Sequence, residues 1–350
     1  IMQSDKISDK IPEKQKPLKM QQILRGSLGS IPRLSTQYNI EQLHSELVSG
    51  YGLKLLPIEW KYPVPKTDVL LGQEIEIENV EVHSIFNNVT GWNTHGDGSL
   101  RNGIEFISTA QLPEELFSSI RLLFTVLKKY HKQATFSWRT SIHLHINIRE
   151  LTETEFFKMI LLYLMFERTL FRYADPVRKD SIFCVPLLES PEVLQSIIKQ
   201  WKFVCSNNQF SDGVADYVNL TDSWHKYAAL GIFRLSKYGT LEFRHLPGGW
   251  NIEKLYGWVA IVCKLYEAAK EISQQDLEEK IAKINTLSFY QNFKETVFRE
   301  YSGLLDYPNF EQDLSHGVLK IKEQLFYTPP KNLIKSKNGA TSIIKKVAAR

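Results

Sequence analysis

The sequence predicts an α+β fold: a mostly antiparallel, curved sheet with one open polar face, and helices packed on the other face. Three observations predict it. Several segments alternate apolar and polar side chains, the period of a strand with one wet face. Long stretches of helical spacing separate them. Hydrophobic residues at 43% and charged residues at 23% of the 350 are those of an ordinary folded chain with a sizeable core.

The elements follow in order. Residues 1–40 are polar and basic with little periodicity, and read as a flexible arm. A short helix is expected over Asn39–Val48, stopped by Gly50-Tyr51-Gly52, and Pro57, Pro63 and Pro65 then enforce an extended connection. Strands are expected over Val69–Glu78, within Glu81–Trp92, and over Arg101–Ser108, with a Gly96-Asp97-Gly98 turn between the last two. Pro113 opens a helix to about Lys129, because Leu116, Ile120, Leu123 and Leu127 fall on one face. Phe136–Arg149 returns to alternation. Thr152 and Glu155 form a capping box before a helix that runs to Tyr173. Pro191–Ser206 is another helix, and Ala228–Leu235 with Thr240–Leu246 make a hairpin around Lys237-Tyr238-Gly239. From Ile252 the chain is helical, with breaks near Ser288 and Tyr307-Pro308, until Pro329-Pro330. Residues 41–325 thus read as one domain, with 252–325 its helical part and 326–350 a basic tail.

Charge is unevenly spread. Residues 1–40 hold seven Lys/Arg and three Asp/Glu (+4), and residues 326–350 hold six Lys/Arg and no acid (+6), so the net +4 leaves −6 for residues 41–325. An acidic body favours a cation site over a nucleic-acid groove and leaves nucleic-acid or assembly contacts to the basic tails. Three cysteines without CxxC spacing point to a reducing, cytoplasmic setting. The longest apolar stretch of note, Ile160–Phe166, is far short of a membrane span of roughly 20 residues.

Residues two apart on a strand share a face. Glu74, Glu76 and Glu78 therefore lie opposite Ile75 and Ile77, and His143, His145 and Asn147 opposite Leu144 and Ile146. Glu242 and Arg244 lie opposite Leu241 and Phe243, and Glu105 stands between Ile104 and Phe106. One such strand is an ordinary wet face. Four, with carboxylates and imidazoles where Lys, Thr and Ser are usual, point to a metal-binding floor, since like charges about 5–7 Å apart repel unless cations lie between them. Carboxylates with imidazole and no thiolate suit Mg²⁺ or Mn²⁺. Arg234 and Arg244, on the two arms of the last hairpin, are the candidates to neutralise a transferring phosphoryl group, Arg234 being equally readable as half of a surface ion pair. His245 alternates away from that face, and Trp92, Trp138 and Trp250 read as core.

Gly72-Gln73-Glu74-Ile75-Glu76, Asp97-Gly98-Ser99, Gly103-Ile104-Glu105-Phe106-Ile107-Ser108, His143-Leu144-His145 and Thr240-Leu241-Glu242-Phe243-Arg244 occur in that order. Over about residues 69–260 this resembles the amidoligases, ATP-dependent carboxylate–amine ligases of the glutamine synthetase and glutamate–cysteine ligase superfamily. The resemblance implies ATP, two or three Mg²⁺ or Mn²⁺ ions, and amide formation through an acyl-phosphate on an amino acid, peptide or related amine, with oligomers a possibility of the superfamily. It implies metal ligands at Glu74, Glu76, Glu105, His143 and Glu242, phosphate contact by His145, and phosphoryl stabilisation by Arg244. Asp97 and Ser99 resemble a substrate-side segment, although Asp-Gly is also a common turn dipeptide. Lys226 and Tyr227 stand where the family carries substrate contacts, or are a helix edge. The chain departs from the pattern at Ser141-Ile142, where a glycine often precedes the HxH element. Two rival readings are a structural or assembly protein that keeps the fold and binds partners through its tails, and a metal-dependent phosphohydrolase. No GxSxG, Cys/His signature or GxxxxGK[ST] loop is present.

Overall fold

In the computed structural model, the described residues are 18–24, 40–80, 91–206, 226–232, 235–283 and 287–326. Six strands form one sheet: β1 Leu71–Glu78, β2 Trp92–Gly96, β3 Gly103–Ser108, β4 Ser141–Asn147, β5 Leu230–Gly231 and β6 Thr240–Pro247. Their order is β2-β3-β1-β4-β6-β5, and every neighbouring pair is antiparallel. The alternation works as the sequence predicts. Ile75, Ile77, Phe106, Ile142, Leu144, Ile146, Leu241 and Phe243 are fully buried on one face, and the carboxylates and imidazoles occupy the other.

The helices are α1 Met20–Ile23, α2 Ile40–Gly50, α3 Pro113–Tyr130, α4 Glu153–Ala174, α5 Pro191–Cys205, α6 Leu235–Tyr238, α7 Ile252–Glu271, α8 Gln274–Ala282, α9 Leu287–Phe298 and α10 Phe310–Phe326. Pro113 fixes the first turn of α3, where Glu115 Oε2 accepts the Leu112 N–H at 2.8 Å. The Thr152–Glu155 capping box opens α4: Glu155 Oε2 accepts the Thr152 N–H at 2.7 Å and Thr152 Oγ1 the Glu155 N–H at 3.3 Å. Helix α4 is buried almost all round because α7 and α10 pack on it on the sheet's apolar side. One hydrophobic cluster runs from Met20 to Leu325.

Four expectations are corrected. Part of the N-terminal arm is docked: Met20 is fully buried, its N–H donates to Leu151 O at 2.8 Å, and Gln21 N–H donates to Arg149 O at 3.1 Å. Among the described residues the first arm of the last hairpin is a strand only at Leu230–Gly231, and Leu235–Tyr238 forms a helical turn. The C-terminal helices also break at Ile272–Ser273, where the Ser273 side chain accepts the Asp276 N–H and caps α8. Trp138 is 73% exposed, with the Arg139 guanidinium 4.9 Å from its ring centre, and is no core residue. Residues 81–90, most of the strand expected over Glu81–Trp92, lie outside the described residues, as do 1–17, 25–39 and the tail from 327. No helix among the described residues is long and apolar enough to cross a membrane.

Candidate metal centre

Strand register brings the polar face together. Glu74 on β1 stands opposite His143 on β4, Glu76 opposite Glu105 on β3, and His145 opposite Glu242 on β6. His143 Nδ1 lies 3.1 Å from Glu74 Oε2 and 3.3 Å from Glu242 Oε1, and His145 Nε2 lies 3.1 Å from Glu74 Oε1. Gly231 faces Glu242 from β5, where a Cβ would sit 3.2 Å from Glu242 Oε2. A larger residue there would crowd the carboxylate.

Three overlapping sets each offer ligand atoms within 4.8 Å of one another: Glu74, His145 and Glu242; Glu74, Glu105 and His143; and Glu76, Asp97 and Glu105. Oxygen and nitrogen ligands about 2.1 Å from one ion stand roughly 3–4 Å apart, so a small contraction would seat a divalent ion in each set. The hydrogen-bond pattern fits that occupant. Glu76 Oε2 accepts both the Ser141 N–H and the Ser141 hydroxyl at 2.7 Å, and the same Ser141 Oγ lies 2.7 Å from His143 Nε2. With the hydroxyl proton on Glu76, His143 must donate from Nε2, a tautomer inferred from the network. His143 Nδ1 is left facing the two carboxylates Glu74 and Glu242. An imidazole nitrogen and two carboxylates turned to one point make a donor set that a divalent cation could use.

The electrostatics agree. Burial works to raise the Glu74 pKa, but His145 and His143 outweigh it and hold the carboxyl well below its usual range. Glu242 is likewise lowered against burial, by His145, His143 and Arg244. Glu105 goes the other way: burial, then the Glu74 and Glu76 charges and Asp97, push it up to about 8. A carboxyl held neutral by burial and by neighbouring carboxylates is one beside which added positive charge would be favourable.

Arg244 pairs closely through Nη1 with Glu242, donates from Nε to Phe183 O at 3.4 Å, and lies 5.8 Å from the Tyr227 ring centre. Tyr227 therefore borders the centre, whereas Lys226 is exposed with its ammonium over the Tyr227 ring. Asp97, for which the resemblance implies a substrate-side place, stands with the acids Glu76 and Glu105. Ser99 supports it, its N–H donating to Asp97 Oδ1 at 2.8 Å. Arg234 lies outside the described residues. Glu78 shares the face but is spent on the Arg101 N–H at 2.9 Å. His245 is fully buried against Tyr163, Phe171 and Trp258, on the opposite face as alternation predicts.

Glu74, Glu105 and His145 line a cavity of about 240 Å³ together with Leu70, Gly72, Ile107, Ala110, Tyr238 and Thr240. Sequence reasoning missed this cavity and the part played by Ser141. Ser141 was legible only as a departure from glycine, since nothing in a strand's alternation shows what a serine bonds.

No protein-family model matches the chain, and no curated protein matches it.

Proposed function

We propose that the chain is a divalent-metal, ATP-dependent carboxylate–amine ligase of the amidoligase kind. The observation that carries this reading is the convergence of carboxylates and imidazoles from four strands into three overlapping ligand sets, with one guanidinium at their edge. Glu74, Glu105 and His143 would hold one ion, and Glu76 with Asp97 or Glu242 with His145 a second. Bound there, Mg²⁺ or Mn²⁺ would supply charge neutralisation at phosphate oxygens. Arg244 would add a fixed positive charge at the transferring phosphoryl group, held in aim by Glu242 and Phe183 O. His145 stands where the ligand sets meet the cavity, the place from which a side chain reaches a phosphate chain. The cavity's apolar wall suits a nucleotide base. Tyr227, whose ring meets both the Arg244 guanidinium and the exposed Lys226 ammonium, would with Lys226 contact the carboxylate or amine.

The test is ADP formation with Mg²⁺ and pooled carboxylates and amines. The ligase reading requires turnover that needs both partners together. Phosphate release from ATP with no acceptor would instead mark a phosphohydrolase. No ATP binding at all would leave a structural protein.

A further inference from the structure

The outer edge of β6 is irregular where Arg244 sits. On the β4 side, Ile142 pairs with Leu246 and Leu144 with Phe243, so Arg244 and His245 together oppose the single residue His143. This β-bulge keeps Arg244 on the site face while His245 and Leu246 both enter the core. On the other side Arg244 N–H donates to Ala229 O at 2.9 Å. The return bond is missing, because Ala229 N–H is turned to Val185 O at 2.8 Å. In place of the Ala229 N–H, Arg178 Nη2 donates to the Arg244 carbonyl at 3.1 Å.

Arg178 comes from the 3₁₀ segment Pro176–Asp180 and is 6% exposed. Its salt-bridge partners would be carboxylates, yet it has none among the described residues, and its Nε makes no hydrogen bond there. The neighbouring Cys184 thiol and His245 ring are no counter-ions: burial pushes the thiol up to about 12 and the imidazole down to about 3. A buried guanidinium with no carboxylate is costly, and an apolar side chain of similar volume would be the more stable choice.

We propose that Arg178 is a positioning residue: by holding the Arg244 carbonyl it fixes the bulge that aims the Arg244 guanidinium at the metal centre. The same stretch of chain grips Arg244 twice, since Phe183 O accepts from Arg244 Nε at 3.4 Å. Its far end is anchored by buried Glu167, which accepts the Leu187 and Leu188 N–H groups at 2.6 and 2.8 Å. Backbone and side chain of Arg244 are thus set by one element that contributes no ligand to the ion cluster. The role in phosphoryl binding rests on the ligase reading; the grip on the bulge does not.

The experiment compares full-length wild type with Arg178→Met and Arg178→Lys. Without any ligand, hydrogen exchange at the Arg244 amide is expected to quicken at least tenfold in Arg178→Met and to be largely restored in Arg178→Lys, whose ammonium still reaches a carbonyl. Mn²⁺ affinity should stay within about threefold of wild type in both. Affinity for Mg²⁺-ATP should fall tenfold or more in Arg178→Met only. Unchanged exchange in Arg178→Met overturns the proposal, as does loss of Mn²⁺ binding in step with exchange, which would mark general unfolding. If wild type binds no ATP, the ligase reading falls while the exchange data still decide the role of Arg178.

Discussion

Ser141 Oγ lies 2.7 Å from His143 Nε2, and the same oxygen gives its proton to Glu76. One buried hydroxyl therefore orients an imidazole of one ligand set and a carboxylate of another. Outer-shell partners of this kind commonly contribute 10–100-fold in metal affinity. Ser141→Ala should weaken Mn²⁺ binding by about that factor, read by calorimetry, with little change in melting temperature. Equal affinity would show that His143 is oriented by something else.

Metal binding should displace a proton near neutral pH. Glu105 sits at about 8 without a cation, above its value near 4.5 in an unfolded chain. Because the folded value is the raised one, its contribution opposes folding increasingly as pH climbs from about 4.5 to 8. Glu74 and Glu242 are lowered, so they favour folding and lose that effect only below about 4.5. From pH 5.5 to 8.5 the metal-free protein should therefore lose stability through Glu105, and added Mn²⁺ should reverse the trend. Mn²⁺ affinity should rise with pH over the same window. In Glu105→Gln that dependence should flatten; an unaltered slope would assign the proton elsewhere.

Two histidines near the sheet's centre should behave oppositely. His143→Ala removes the imidazole that faces both Glu74 and Glu242 and, on the proposed reading, should abolish tight Mn²⁺ binding while leaving a folded chain. His245→Phe, in an aromatic pocket on the other face, should leave Mn²⁺ affinity unchanged. Calorimetry on the two variants checks the contrast.

The core depends on a close helix crossing. Gly317 of α10 lies against α4, where an added Cβ would be 2.2 Å from Met165 O, a backbone atom that cannot swing aside. Gly317→Ala should cost about 1–3 kcal/mol in urea unfolding. No loss would mean that the two helices slide freely.

Much of this was readable from residue order. Period-two alternation placed Glu74, Glu76, Glu105, His143, His145 and Glu242 on one face, because a pleat allows only two faces. It could not reveal the bulge at Arg244–His245, which follows from pairing with β4, nor the bond from Arg178, 66 residues away in sequence. The docking of Met20 was hidden for a similar reason: a short apolar run in a basic arm shows no partner until Leu151 and Arg149 are in place. Trp138 misled because composition favours burial of tryptophan, while its turn faces solvent.

The most direct measurement is anomalous X-ray scattering from crystals soaked in Mn²⁺. The account predicts at least one anomalous peak about 2.0–2.3 Å from oxygens of Glu74 and Glu105 and from His143 Nδ1. Manganese found only elsewhere on the protein, with the three side chains positioned as here, would contradict it.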